Sequence, residues 1–153
     1  MKIAFAPLLI ISLLSPQLHA SDIDKDTATR FINSFYQAIQ KHDLKAVGNM
    51  IDNKATIKVL WTQADPPQSF TISKADYLQQ LKATWHFATN ESYEIKNIKV
   101  SLVDNVTTVS LQETENRTLF GKKAGQQNEL QIALGGDAKS PRIVSIQNKT
   151  KLW

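Results

Sequence analysis

The chain has 153 residues, with 18 Lys and Arg against 14 Asp and Glu and no Cys, so disulfides, thiolate nucleophiles and Cys-ligated metals are excluded. The basic residues are scattered, with Lys122 and Lys123 the adjacent pair of lysines, and no basic run alternates with aromatics; no nucleic-acid partner is expected. At 42% hydrophobic residues, the chain can bury a core of single-domain size without covalent staples.

The first twenty residues read as a cleavable secretory signal. Lys2 supplies one charge, Ile3 to Leu14 is apolar apart from Pro7 and Ser12, and Leu18-His19-Ala20 places a small residue just before Ser21. The apolar run falls short of the ~20 residues needed to cross a bilayer core. The expected product is residues 21–153, a single periplasmic or secreted domain without a membrane anchor. It has 18 basic residues less Lys2, hence 17 against 14 acidic, a net +3.

Over 22–42, Ala28, Phe31, Ile32, Phe35, Ala38 and Ile39 recur at helical spacing, with Asp22, Asp24 and Asp26 near the start, where carboxylates suit the helix dipole. Asp43 caps a short second helix with Leu44, Val47, Met50 and Ile51 inward, ended by Asp52-Asn53. Ala55 to Trp61 alternates as a strand with Ile57, Val59 and Trp61 on one face. Asp65-Pro66-Pro67 is a turn, and Phe70 to Ile72 a brief strand. Ser73 and Asp76 form a capping box for a helix carrying Tyr77, Leu78, Leu81, Trp85 and Ala88.

From Ser92 the period becomes two. Ile98, Val100 and Leu102 alternate while Ile95 is out of step, which predicts a bulge at Lys96-Asn97. Asp104-Asn105 marks a tight hairpin. The next strand aligns Val109, Leu111, Glu113 and Glu115. A further strand carries Leu130, Ile132 and Leu134, and the last carries Val144, Ile146, Asn148, Thr150 and Leu152.

The stretch Phe31-Ile32-Asn33-Ser34-Phe35-Tyr36, continued by His42-Asp43-Leu44 and by Asp52-Asn53-Lys54-Ala55-Thr56, carries a resemblance. It resembles the nuclear-transport-factor-2-like superfamily, which includes SnoaL-like and ketosteroid-isomerase-like proteins, with His42 replacing a common Gly. The resemblance implies an α+β cone, its curved antiparallel sheet wrapped around two to three helices from the N-terminal half. It also implies a pocket, for which Phe35, Trp61, Trp85 and Tyr93 are aromatic lining candidates and Asn148 and Thr150 polar ones. The implied ligand is small and apolar or aromatic, with no cofactor and no metal.

The resemblance does not bring a catalytic set with it. An isomerase of this superfamily needs a carboxylate base, a Tyr and a protonated acid. Val59 stands where the base belongs and Phe35 where the Tyr belongs, with Tyr36 turned about 100° away around the helix. Arg30, Arg117 and Arg142 form no recognisable hydrolase constellation, and His42 and His86 each suit the end of a helix.

Glu113 and Glu115 share one strand face with Cα atoms ~6.6 Å apart. Because unpaired buried Glu is rare, both are expected to be solvated, with Arg117 as a partner. If they instead faced a pocket, either could serve as acid or base. The sequence therefore reads as an exported, non-catalytic binding or accessory module, with a small isomerase, lyase or hydrolase using Glu113 or Glu115 as the alternative. A homodimer is expected through the outer sheet face of Ser110, Gln112, Thr114, Gln131, Ser145 and Gln147.

Overall fold

In a computed structural model the described residues are 22–153; the expected signal segment lies outside them. Helices α1 (Lys25–Gln40) and α2 (Leu44–Met50) lead into strands β1 (Ile51–Trp61) and β2 (Gln68–Ile72). Helix α3 (Lys74–Phe87) follows, and then β3 (Ala88–Val103), β4 (Val106–Leu119), β5 (Lys122–Gly135) and β6 (Arg142–Leu152).

Local signals set these boundaries. The Asp24 carboxylate accepts from the Thr27 amide at 2.7 Å and starts α1. Asp43 does the same for α2 through Ala46, at 2.9 Å. Ser73 and Asp76 close the expected capping box on α3. His42, between the first two helices, has φ 54, the left-handed conformation for which Gly is the usual choice.

Two boundaries differ from expectation. The second helix stops at Met50, and β1 takes Ile51 as its first residue, buried, with its carbonyl accepting from Lys74 Nζ at 2.8 Å. That contact comes from α3, so no local signal carries it. Ala88 belongs to β3 rather than to the preceding helix, because it pairs with Leu119.

The strands form one curved, open sheet in the order β2-β1-β6-β5-β4-β3, antiparallel except where β1 runs parallel to β6. The expected bulge is present between Lys96 and Lys99, with Asn97 at φ 56. Asp104 and Asn105 form the expected two-residue hairpin, with φ 49 and 62. In β6 a register shift opposite Ala133 and Leu134 turns Ile143, not Val144, into the core. A Cβ added at Gly135 would lie 2.6 Å from Val144, so Val144 packs beside that glycine instead.

The concave face carries Ile57, Val109, Leu111, Leu130, Ile132 and Ile146, and α1 fills it with Ala28, Ile32, Phe35, Tyr36 and Ile39. Each large apolar side chain buried this way contributes about 1.5–3 kcal/mol. Among the described residues, the buried apolar core runs from Ile23 to Ile146. The opposite face is polar, and an open groove of about 770 Å³ runs along it past Ser110, Gln112, Gln131 and Gln147.

Candidate functional site

The strand registers stack side chains across the concave face in rungs two residues, ~6.6 Å, apart. Counted upward from the buried layer of Thr107, Leu134, Ile143 and Ile51, the first rung is Val109, Ile132, Ile146 and Ile57, and the second Leu111, Leu130, Asn148 and Val59. Above them the character changes to Glu113, Asn128 and Thr150, and then to Tyr93, Glu115 and Gln126. The pocket is apolar at its base and polar towards one end of the sheet.

Hydrogen bonds tie the third rung together. Tyr36 donates its hydroxyl to Glu113 Oε2 at 2.6 Å, and Asn128 Nδ2 donates to Glu113 Oε1 at 2.6 Å. Thr150 Oγ1 donates to Asn128 Oδ1 at 2.8 Å, which fixes the orientation of the amide. In the fourth rung, Glu115 pairs with Arg117 and accepts from Gln126 Nε2 at 2.5 Å. Both glutamates are buried, Glu113 at 8% and Glu115 at 4% exposure. This corrects the expectation that they are solvated: the sheet does not leave the core here, and partners from α1 and β5 meet the carboxylates. The expected pairing with Arg117 is present at Glu115.

A cavity of about 260 Å³ lies between this ladder, α1 and α3, with Phe35, Tyr36, Tyr77, Tyr93, Glu113 and Asn128 among its walls. Burial raises the pKa of Glu113 above the ordinary 4.5, opposed by the bonds from Tyr36 and Asn128 and by the Arg117 charge. Tyr36 is raised well above its usual 10.0, by burial first and then by the Glu113 charge. Tyr77 is raised by the same two causes. Tyr93 is pushed up to about 12, by burial and by Glu91. At neutral pH all three phenols therefore keep their protons, and the Tyr93 hydroxyl is buried without a partner. Arg117 Nε and Asn148 Oδ1 are buried without a hydrogen-bond partner, and both residues line the cavity. A buried donor and acceptor left open in this way call for water or a ligand.

Of the residues singled out from the sequence, Phe35, Tyr93, Glu113, Glu115, Asn148 and Thr150 converge on this cavity. Trp61 and Trp85 are not among its lining residues, which corrects their assignment to the pocket wall. Trp85 stacks on His42, with ring centroids 4.7 Å apart, and His42 Nε2 meets Glu91 Oε2 at 2.7 Å, so the indole is held at the turn between α1 and α2. Trp61 pairs with Thr150 and Gln68 at the end of β1.

Tyr36, Tyr77, Asn128, Gln126 and Arg117 were not named as lining residues from the sequence. Asn128 carried a signal, since the alternation of Leu130, Ile132 and Leu134 extends back to it. Tyr36 carried a weaker one. A helix lodged in a concave sheet buries a wide arc, so neighbours 100° apart can both face inward. Among the described residues no cluster of three or more His, Asp or Glu could hold a metal ion.

This arrangement, three helices against an open curved sheet, recurs among solved structures. The fold is that of the nuclear-transport-factor-2-like proteins. An NTF2-like protein from Cytophaga hutchinsonii superposes with a TM-score of 0.66 at 7% identity, covering 84% of this chain and 98% of that one. The β subunit of benzoate 1,2-dioxygenase from Burkholderia mallei gives 0.65 at 17% identity, covering 84% and 91%. A conserved protein from Planctomyces limnophilus gives 0.67 at 7% identity, covering 84% and 100%. No protein-family model matches the chain, and no curated protein sequence matches it. At these identities the likeness speaks for the NTF2-like backbone alone, and function has to come from the side chains in the pocket.

Proposed function

We propose that this protein binds a small, largely apolar, ring-sized molecule in the NTF2-like cavity and holds an oxygen on that molecule against the Tyr36–Glu113–Asn128 cluster. The observation that carries the reading is the hydrogen-bonded chain Tyr36–Glu113–Asn128–Thr150 at the polar end of a cavity whose base is apolar. A dry cavity of ~150 Å³ accepts benzene, so one of about 260 Å³ suits a ring with a few substituents. Arg117 Nε offers such a ligand a donor and Asn148 Oδ1 an acceptor.

The protonation of Glu113 sets which ligand oxygen is welcome. Ionised, Glu113 takes the Tyr36 proton into its own hydrogen bond. Protonated, it can donate to the Tyr36 oxygen, and the phenol is then free to donate to a ligand carbonyl or hydroxyl. Burial raises the Glu113 pKa while the Tyr36 and Asn128 bonds lower it, so falling pH moves the cluster towards the second state and towards a ligand that presents an oxygen acceptor.

The test is thermal unfolding in the presence of phenol and of toluene. Phenol is expected to raise Tm progressively with concentration and toluene to do so less, with Asn128→Leu abolishing the difference. Equal responses to the two probes, or none, would overturn the reading.

A second reading, acid/base catalysis by Glu113, is supported by its burial and raised pKa. Against it, the facing position 59 is an apolar Val, and the Glu115 carboxylate is occupied by Arg117 and Gln126. With both carboxylates held by neighbouring side chains and Val59 apolar, binding is the better-supported function.

A further inference from the structure

At the end of the sheet where β4 turns into β5, two phenylalanines sit on the surface. Phe120 is 80% exposed and Phe87, the last residue of α3, is 52% exposed, with their rings 5.5 Å apart. Neither lines the cavity.

The backbone under Phe120 is costly. Phe120 and Gly121 are the two residues of the β4–β5 hairpin, with φ 50 and 77, a turn whose first position favours Asn or Asp. A bulky residue at positive φ is an outlier, and this one gains little packing in return. Such a residue is better explained by what its side chain meets outside the protein than by the fold.

The surroundings are basic. Lys122 and Lys123 follow the turn, and Lys82 and His86 lie on the last turns of α3; all four are exposed. The segments 77–90 and 116–128 contain no acidic residue. An exposed aromatic pair among lysines has the character of a surface that inserts rings at the boundary of a bilayer while its ammonium groups meet anionic headgroups.

We infer that this corner, formed by Phe87 and Phe120 with Lys82, Lys122 and Lys123, docks on an anionic lipid bilayer. The aromatic rings supply the apolar contact and the lysines select negative headgroups. An uncharged bilayer offers nothing to the second half of the surface. The inference does not depend on the ligand reading.

Flotation with lipid vesicles tests it, using the full chain. The expected result is binding to an equal mixture of phosphatidylglycerol and phosphatidylcholine, weakened by added salt, with little binding to phosphatidylcholine alone. Phe120→Asn and Phe87→Ser are each expected to lower partitioning about tenfold, and Lys122→Ala and Lys123→Ala about fivefold each. Phe120→Asn has a second readout: because Asn suits the turn, its Tm should stay level or rise while binding falls, which separates lost docking from lost folding. Failure to bind the mixed vesicles overturns the inference, as does binding that ignores both phenylalanine substitutions. So does sedimentation showing a dimer that Phe120→Asn splits, because the corner would then be a contact between copies.

Discussion

Tyr36 and Glu113 lie 77 positions apart in the chain, yet the tyrosine hydroxyl reaches the carboxylate at 2.6 Å in the interior of the protein. The contact joins the first helix to β4, the strand next to the β3 edge, and marks where the apolar part of the cavity ends. Tyr36→Phe removes the donor and leaves Glu113 Oε2 without this bond. The expected loss is about 1–3 kcal/mol of stability at neutral pH, measured by urea unfolding. The Glu113 carboxyl should also titrate higher in the variant, because the Tyr36 bond lowers its pKa; carbon-detected NMR reads that directly.

The raised pKa of Glu113 gives stability a defined pH dependence. Between the ordinary 4.5 and the higher folded value, the unfolded chain releases this proton while the folded chain keeps it. The unfolded state then binds fewer protons, so the contribution of Glu113 is complete below 4.5 and is lost as pH rises through the folded value. The exposed caps Asp24 and Asp76 have lowered pKa values and act in the opposite sense. The difference between the wild type and Glu113→Gln isolates Glu113: the downward slope above pH 4.5 should vanish in the variant. An unchanged slope would show that Glu113 is not the group responsible.

Asn128→Leu replaces an amide that serves Glu113 and Thr150 together. With the side chain only 1% exposed, both partners are left unsatisfied in the interior, at about 1–3 kcal/mol each. Chemical denaturation should show a larger loss than for Tyr36→Phe. A loss equal to or below that of Tyr36→Phe would mean that water replaces the amide.

Ile32 is fully buried on α1, and Ile32→Ala is expected to cost 2–5 kcal/mol, read from the denaturation midpoint at unchanged m-value. Gly125→Ala acts differently. A Cβ there would lie 2.5 Å from the Trp153 indole, which is 57% exposed and at the end of the chain. The ring should swing away at little cost, visible as a shift of one resonance in fluorine-labelled tryptophan spectra.

Much of this architecture is legible in the chain because the signals are local. Asp43, the Ser73–Asp76 box, the Asp104-Asn105 turn and the phase slip at Lys96-Asn97 each act within a few residues. The alternation from Val109 to Glu115 put the two glutamates on the concave face, but their burial depends on Tyr36, Asn128 and Gln126, which arrive from other elements. Val144 was assigned inward because simple alternation cannot anticipate a register shift against β5. The resemblance offers Trp61 and Trp85 as aromatic pocket candidates, whereas the place of Trp85 is decided by His42 and that of Trp61 by pairing at the end of β1.

The last strand does not lie at an edge of the sheet. β6 runs between β1 and β5, parallel to the former and antiparallel to the latter. On a ribosome, β1 and β2 therefore emerge long before the strand that joins them to the rest of the sheet. The β3–β5 meander can form in chain order, but the two parts of the sheet meet only once β6 is available to pair. Joining the two parts of the sheet is thus a late, long-range event, slow for a protein of this size, and until β6 pairs, the facing edges of β1 and β5 stay open in addition to the outer edges β2 and β3.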